Sequence, residues 1–427
     1  MNKMQQHNVA LVAGASGIVG RQLVNTLLHH QWEVIGLSRR EVTHPDGIPV
    51  VNVDLLDAQH SAQKLHSLNG VTHIFYSAWA NAANWTDMVE PNVTMLRNLV
   101  STLEKTAPLQ TVSLMQGYKV YGAHLGPFKT PARESDPGVP GAEFNAAQLA
   151  WLSQFQRGKG WHWNAIRPGV VGSTVPGNAM NLALSIALYA SLCRALGLPL
   201  RFPGSEQAWH SIVDHTDAGL LAEATVWAAA SPAAQNQAFN VNNGDIWRWS
   251  ELWPRIARWF ELDSAPPVRL SFHQLFNDYR GVWRELAGER LVEADILQLS
   301  DGRFADFVFS WNYDMFGDGS KLRRAGFTQM QATDEMFFSL FAHQCNGVAV
   351  ALFKFRFVGL LHFQRGIPDG HRAHHGHDPR LRSNGRFWLW LVLSCFATRS
   401  TANVQHTPWL TMKKSARQKC PIGTSKR

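Results

Sequence analysis

Val9-Ala10-Leu11-Val12-Ala13-Gly14-Ala15-Ser16-Gly17-Ile18-Val19-Gly20 is the stretch that decides how this chain is read. Its first five residues are apolar without interruption, as in a strand buried on both faces. A glycine-rich turn follows. Val19, Leu23 and Leu27, with Val24 and Leu28 beside them, then recur at a helical period. Strand, glycine turn and helix in that order make a phosphate cradle. The glycines permit a tight turn, close approach of a pyrophosphate and close helix–sheet packing. The helix N-terminus offers free N–H groups to the phosphates. Gly14, Ser16, Gly17, Ile18, Val19 and Gly20 are therefore expected to hold a dinucleotide. The spacing is GxxGxxG rather than GxGxxG, so the flanking strand and helix carry the reading more than the glycines do.

The pattern repeats outward. Glu33–Ser38, Val50–Val53, His73–Ser77 and Gln110–Met115 read as further strands, and Trp163–Arg167 as a sixth, ended by Pro168. Between them lie helical patterns. One starts near Pro91 and carries Met95, Leu96, Leu99, Val100 and Leu103; another is Phe144–Gln156. Gly122–Ala142 reads as a loop. Alternating strands and helices predict an α/β fold, a doubly wound parallel sheet of Rossmann type covered on both faces. Residues 8–174 form its dinucleotide-binding domain. A smaller C-terminal substrate-binding region, 175–343, returns some strands to the main sheet. It is expected to hold a long apolar helix at Asn178–Leu196, a strand at Phe239–Val241, an amphipathic helix at Trp247–Leu262 and a helix ending near Gln344.

The second strand ends in Ser38-Arg39-Arg40. A carboxylate there would bond a ribose 2′-hydroxyl; arginines instead suit a 2′-phosphate, so NADP(H) is expected over NAD(H). The plain alternative is two solvated surface charges. Asp54 and Leu55 follow the third strand and are placed toward the adenine edge. Ser77-Ala78-Trp79 ends the fourth, where small residues let a dinucleotide lie close.

Composition removes other classes. The chain has 427 residues, of which 45% are hydrophobic and 17% charged, so a large core is available and global disorder is excluded. The net charge of +8 is unevenly placed. From Cys345 onward there are 14 Lys+Arg against 2 Asp+Glu; the rest holds 26 against 30. The main body is mildly acidic, which argues against a nucleic-acid surface there. Residues 345–427 are a basic tail without lasting periodicity, whose order the sequence does not decide. Its His371, His374, His375 and His377 have no regularly spaced carboxylate or Cys beside them, so a polar loop is expected rather than a metal site. Cys193, Cys345, Cys395 and Cys420 make no CxxC, and a reducing cytoplasm is the expected setting. Met1–His7 is polar, Val9–Ala13 is too short for a signal-peptide core, and no apolar run reaches the roughly 20 residues of a membrane span.

Further motifs are specific. They include Val71-Thr72-His73-Ile74-Phe75-Tyr76 with Trp79-Ala80-Asn81, Gly117-Tyr118-Lys119-Val120-Tyr121-Gly122, and Leu125-Gly126-Pro127-Phe128. Arg167-Pro168-Gly169, Met180-Asn181-Leu182 and Ala238-Phe239-Asn240-Val241-Asn242-Asn243-Gly244-Asp245 complete the set. With the glycine turn and Ser38-Arg39-Arg40, they make residues 8–343 resemble the extended short-chain dehydrogenase/reductase superfamily. Within it the likeness is to progesterone 5β-reductase/iridoid synthase-like enone reductases. The resemblance implies NADPH-dependent reduction of an activated C=C, or of a carbonyl, in a small hydrophobic molecule. Pro168 and Val171 are added to the cofactor-binding set. Lys119 matches the family Lys, whose charge would hold the cofactor ribose or face a developing enolate oxygen; otherwise it is a surface Lys after a strand.

One feature departs from the family. Its Tyr lies in an Asn-Phe-Tyr-Tyr-like run, where this chain reads Glu143-Phe144-Asn145-Ala146-Ala147-Gln148. The phenol falls on Asn145 or Ala146, and the superfamily Tyr-xxx-Lys pair is also absent. Three readings stay open. Tyr121 or Tyr118 supplies the phenol, with packing as the alternative for Tyr121. Or an enolate needs only electrostatic stabilisation and protonation by water. Or the protein is a non-catalytic NADP(H)-binding sensor. Epimerase or dehydratase chemistry on a nucleotide sugar is a further alternative, disfavoured by the missing pair and by the arginines. The partner implied is a small-molecule substrate; a homodimer is compatible with the sequence. Asp214, His215 and Asp217 could form a carboxylate–His pair, but Asp217 as a helix cap is the expected reading. Ser113 and His124 sit in no Gly-x-Ser-x-Gly elbow. Trp247, Trp249, Trp253 and Trp259 are expected in a core before a substrate pocket.

Overall fold

A computed structural model of the chain describes residues 8–138, 143–175, 180–291 and 295–344. Six strands come first in the chain: β1 (Val9–Ala13), β2 (Glu33–Ser38), β3 (Val50–Asn52), β4 (His73–Tyr76), β5 (Thr111–Met115) and β6 (His162–Pro168). Strand Gln237–Val241 completes a seven-stranded sheet ordered Gln237–Val241, β6, β5, β4, β1, β2, β3, with every pairing parallel. The order reverses between β1 and β4, the doubly wound switch point where ligands sit against the carboxyl ends of strands.

Alternation along β1 explains the two covered faces. Val9, Leu11 and Ala13 point into a core shared with Met95, Leu96, Leu99, Val100 and Leu103 of α3 (Val89–Thr106, which follows α1, Ile18–His29, and α2, Ala58–Leu65). Leu152 of α4 (Phe144–Gln156) joins them. Ala10 and Val12 point the other way, onto Leu23, Val24 and Leu27 of α1 and onto Ala222, Val226 and Ala229 of helix Ala218–Ala230. A residue shifted by one along β1 would change cores.

The C-terminal region is built on α5 (Leu182–Leu196), whose residues from Leu182 to Cys193 are all buried. Around it lies an aromatic core. The Phe202 ring meets Trp209, Trp249, Trp253 and Phe309 at centroid distances of 5.3–5.6 Å. Trp247, Trp249 and Trp253 are buried and Trp259 partly so, as a core role requires.

Two helix starts differ from the expectation. The long helix starts at Leu182, not Asn178, because the Asn181 side chain caps it by accepting the Leu184 N–H; residues 176–179 lie outside the described residues. The helix expected from Trp247 starts at Trp249, because Trp247–Arg248 pairs antiparallel with Ile212–Val213 as a short strand. The tail from 345 on, with Cys345, Cys395, Cys420 and the clustered histidines, lies outside the described residues. No helix among the described residues is long and apolar enough to cross a membrane, and no group of His, Cys, Asp or Glu among them could hold a metal ion.

Candidate active site

All strands of the main sheet are parallel, so the loops after β1 to β6 emerge at one edge. The glycine turn, Ser38–Arg40, Asp54–Leu55, Ser77–Trp79, Gly117–Tyr121 and Pro168 are the ends of six successive strands and therefore meet there.

Gly14 adopts φ +85°, and a β-carbon on it would lie 3.0 Å from the Ala78 nitrogen and the Ser77 carbonyl. That β-carbon would fill the gap between the β1 and β4 ends. At Gly20 a β-carbon would sit inside the Gly14 carbonyl group. Gly17 is the N-cap of α1 and offers no capping side chain, which leaves the first N–H groups of that helix available to an anion. The turn thus fits a dinucleotide pyrophosphate. Ser16 is exposed beside it, Ile18 is buried and Val19 half-buried. We expect Gly20→Ala to cost about 1–3 kcal/mol by overpacking against backbone that cannot yield and to weaken dinucleotide binding. A urea melt and a fluorescence titration check this, with Gly70→Ala as control, since a β-carbon at Gly70 meets nothing within 4 Å.

Arg39 and Arg40 are exposed, and neither forms an ion pair among the described residues. Their backbone is fixed. The Arg40 N–H donates to Ser38 Oγ (3.1 Å), and Asn52 Nδ2 donates to the Arg39 carbonyl (3.0 Å). The sequence reading missed His44. It is buried, its Nε2 lies 3.3 Å from the Ala15 carbonyl, and its Nδ1 accepts the Asp46 N–H, so it ties the arginine loop to the glycine turn. A lone His in a loop carries no sequence signal for that. Asp54 is half-exposed, with Oδ1 accepting the Leu56 N–H. Leu55 was placed toward the adenine edge, but its side chain is buried in the core beneath α3. Ala78 is half-buried and Trp79 half-exposed. Buried Asn92 bonds both the N–H and the carbonyl of Ala80 at 2.8 Å, pinning this loop to α3. Pro168 is buried, and Val171 lies half-buried in a short strand paired with His215–Asp217.

The Gly-x-Lys-x-Tyr segment is a 3-10 turn, Tyr118–Tyr121. Its two tyrosines anchor it. The Tyr118 hydroxyl donates to Asp214 Oδ2 (2.8 Å) inside the core. The Tyr121 hydroxyl donates to Asn240 Oδ1 (2.7 Å) and accepts from Arg167 (3.0 Å), whose Nε donates to Gln116 (2.9 Å). Burial raises the pKa of both phenols; next to Tyr118 the Asp214 carboxylate adds to the effect. Neither hydroxyl is free to hand over a proton. Lys119 lies between these anchors, half-buried, with its ammonium 4.3 Å from the centre of the Trp85 ring. Burial lowers its pKa, and the Glu143 carboxylate partly opposes the shift. His124 packs edge-on against the same Trp85 ring, with centroids 4.7 Å apart. Its pKa falls to about 4, first through burial and then through the Lys119 charge. Trp85 gave no chemical signal in the sequence and His124 only that of a hydrolase residue without its elbow; spatial convergence on Lys119 brings them together.

Of the two positions where the sequence led one to expect the family phenol, Asn145 is buried. Its Nδ2 donates to Glu143 Oε1 (2.7 Å) and its carbonyl accepts from Gln116 (2.6 Å). Ala146 is exposed, and its N–H donates to Glu143 Oε2. Asp217 caps helix Ala218–Ala230 by accepting the Leu220 N–H. His215 is not paired with a carboxylate; it sits against Trp247, Trp249 and Phe337.

The sequence profile of the PRISE-like Rossmann-fold domain matches residues 10–271. The chain belongs to that family. It is 32% identical over 356 residues to a 3-oxo-Delta(4,5)-steroid 5-beta-reductase of Arabidopsis thaliana, covering 78% of this chain and 90% of that protein. It is also 32% identical over 353 residues to an (S)-8-oxocitronellyl enol synthase of Nepeta cataria, covering 76% and 87%. Among solved structures, a short-chain dehydrogenase/reductase superfamily protein from Agrobacterium tumefaciens with bound NAD shares the fold. Its TM-score is 0.55 at 16% identity, covering 84% of this chain and all of that one. An epimerase from Methanothermobacter thermautotrophicus gives 0.58 at 15% identity, covering 81% and 95%.

Proposed function

We propose that this PRISE-like protein is an NADPH-dependent oxidoreductase that reduces the activated C=C of a small hydrophobic enone. The observation that carries the reading is Lys119: its ammonium sits 4.3 Å from the centre of the Trp85 ring, on a turn anchored by two buried tyrosines at the same sheet edge as the dinucleotide cradle. A bound reduced nicotinamide supplies a hydride there. Gly14, Gly17 and Gly20 admit the pyrophosphate, and Arg39 and Arg40 take a 2′-phosphate. Lys119 faces the oxygen on which charge develops, where its low-dielectric setting strengthens the interaction. Tyr121 acts as a positioning residue for Lys119, since its hydroxyl is committed to Asn240 and Arg167. Trp85 and exposed Leu125, next to His124, give the substrate an apolar rim.

Consumption of NADPH with a panel of cyclic and linear enones tests the reading. Binding of cofactor by folded protein without consumption would favour the sensor instead. For the 2′-phosphate, Arg39→Ala/Arg40→Ala is expected to lower NADPH affinity by about 10–100-fold, the loss of one or two charge-assisted hydrogen bonds, with NADH affinity little changed. Titration of both nucleotides checks this; equal losses for the two would remove the arginines from the 2′-phosphate.

A further inference from the structure

An enolate oxygen is held better by a second polar partner beside the ammonium than by the ammonium alone. The structure narrows the choice by what each candidate already does. Tyr118 donates to Asp214 and Tyr121 to Asn240. The Tyr76 hydroxyl has no partner, but it is sealed in the core beneath α3 and α4. Asn145 is spent on Glu143, and Ala146 has no polar side chain. His124 differs from all of these. It is half-buried in the loop after the Lys119 turn, it shares the Trp85 ring with the Lys119 ammonium, and its Nδ1 is buried without a hydrogen-bond partner. With Nδ1 covered and given no acceptor, the neutral ring is better protonated at Nε2, which leaves the Nε2–H as the donor for a ligand.

We infer that His124 is the hydrogen-bond donor that faces the enolate oxygen beside Lys119, in place of the phenol that Asn145 and Ala146 do not provide. The inference rests on the enone-reductase reading. Addition of hydride to the β-carbon moves the π electrons of the C=C onto the carbonyl oxygen. The ammonium of Lys119 and the N–H of His124 hold that charge. The proton that completes the product arrives from water at the α-carbon, so His124 keeps its own proton. A neutral imidazole suits this task, and the Lys119 charge and burial both keep the ring neutral at working pH. Glu143, the carboxylate facing Lys119, is taken up by Asn145 and the Ala146 N–H.

Three readouts on the full-length chain test this. Steady-state kinetics compare wild type with His124→Phe, which keeps a ring on Trp85 but no donor, and with His124→Gln, which restores a donor. We expect about a 10²-fold loss of kcat for His124→Phe, as for loss of one oxyanion donor, with KM within about threefold and part of kcat regained in His124→Gln. Binding of a nitrophenol to the NADP⁺-loaded protein, read by its phenolate absorbance, should weaken in parallel. In wild type, the same phenolate should move the His124 imidazole N–H resonance downfield, a readout that needs no variant to fold. Wild-type kcat and phenolate affinity in folded His124→Phe would overturn the role of His124 and leave the reductase reading standing. Should wild type reduce no enone, that reading falls, and with it the role of His124. An N–H resonance unmoved by bound phenolate overturns the role in either case.

Discussion

Lys119→Met should lower kcat for enone reduction by about 10²–10³-fold, the usual cost of removing one preorganised group at a developing oxyanion. The fold should survive. Tyr118 and Tyr121 hold the turn from both sides through Asp214, Asn240 and Arg167, and the Lys119 side chain adds no hydrogen bond or ion pair to that anchoring among the described residues. Methionine keeps much of the apolar stem. NADPH affinity should change far less than kcat if the ammonium faces the oxygen, and comparably if it mainly holds the ribose, so stopped-flow binding beside turnover separates the two roles. There is a pH signature as well. Burial lowers the Lys119 pKa, so the ammonium is lost at a lower pH than an exposed lysine would lose it. Wild-type kcat should therefore fall on the alkaline side below the ordinary lysine range, and that limb should vanish in Lys119→Met.

The second large effect is acid instability from histidines buried as neutral rings. His73 is pushed down to about 4 and His215 to about 3, both by burial. His124 adds a smaller share because it is half-exposed. Below the ordinary 6.5 the unfolded chain takes up protons on these rings that the folded chain refuses, so stability falls with pH down to about 4. Asp214 works the other way. Burial raises it to about 7, so the folded chain is already protonated there while the unfolded chain is not. Glu134, also raised by burial, acts in the same direction. The balance leaves about one net proton taken up on unfolding, and each is worth about 1.4 kcal/mol per pH unit. Urea melts at pH 6.5 and 5 should thus differ by about 2 kcal/mol. His215→Leu should flatten the dependence. Asp214→Asn should steepen it by removing the opposing proton, and an unchanged slope in both variants would contradict this account.

Much of the fold was readable from the sequence because it depends on local signals. Continuous apolar runs marked the central strands. The glycine turn marked the first crossover, and helical periodicity marked α1, α3 and α4. What failed was set by tertiary pairing. Trp247 looks helical in sequence and becomes a strand because Val213 lies opposite it. Asn181 delays the start of its helix by capping the N-terminus at Leu182. As an expectation, the candidate site was legible where a motif carries it, at Gly14–Gly20, Arg39, Arg40 and Lys119. It was not legible where distant loops converge. Trp85, His124 and His44 acquire roles only because parallel strands bring their loops to one edge. Tyr121, a candidate phenol by its neighbourhood, is occupied by Asn240, 119 residues away in the chain.

The central claim is hydride delivery to a C=C at the Lys119 edge. The most direct test is turnover of an enone with NADPH deuterated at the transferred position, followed by mass and NMR analysis of the product. The expected product is a saturated ketone or aldehyde with deuterium on the β-carbon and a solvent hydrogen on the α-carbon. Deuterium on the carbonyl carbon of an unsaturated alcohol, or no transfer from folded, cofactor-bound protein, would contradict it.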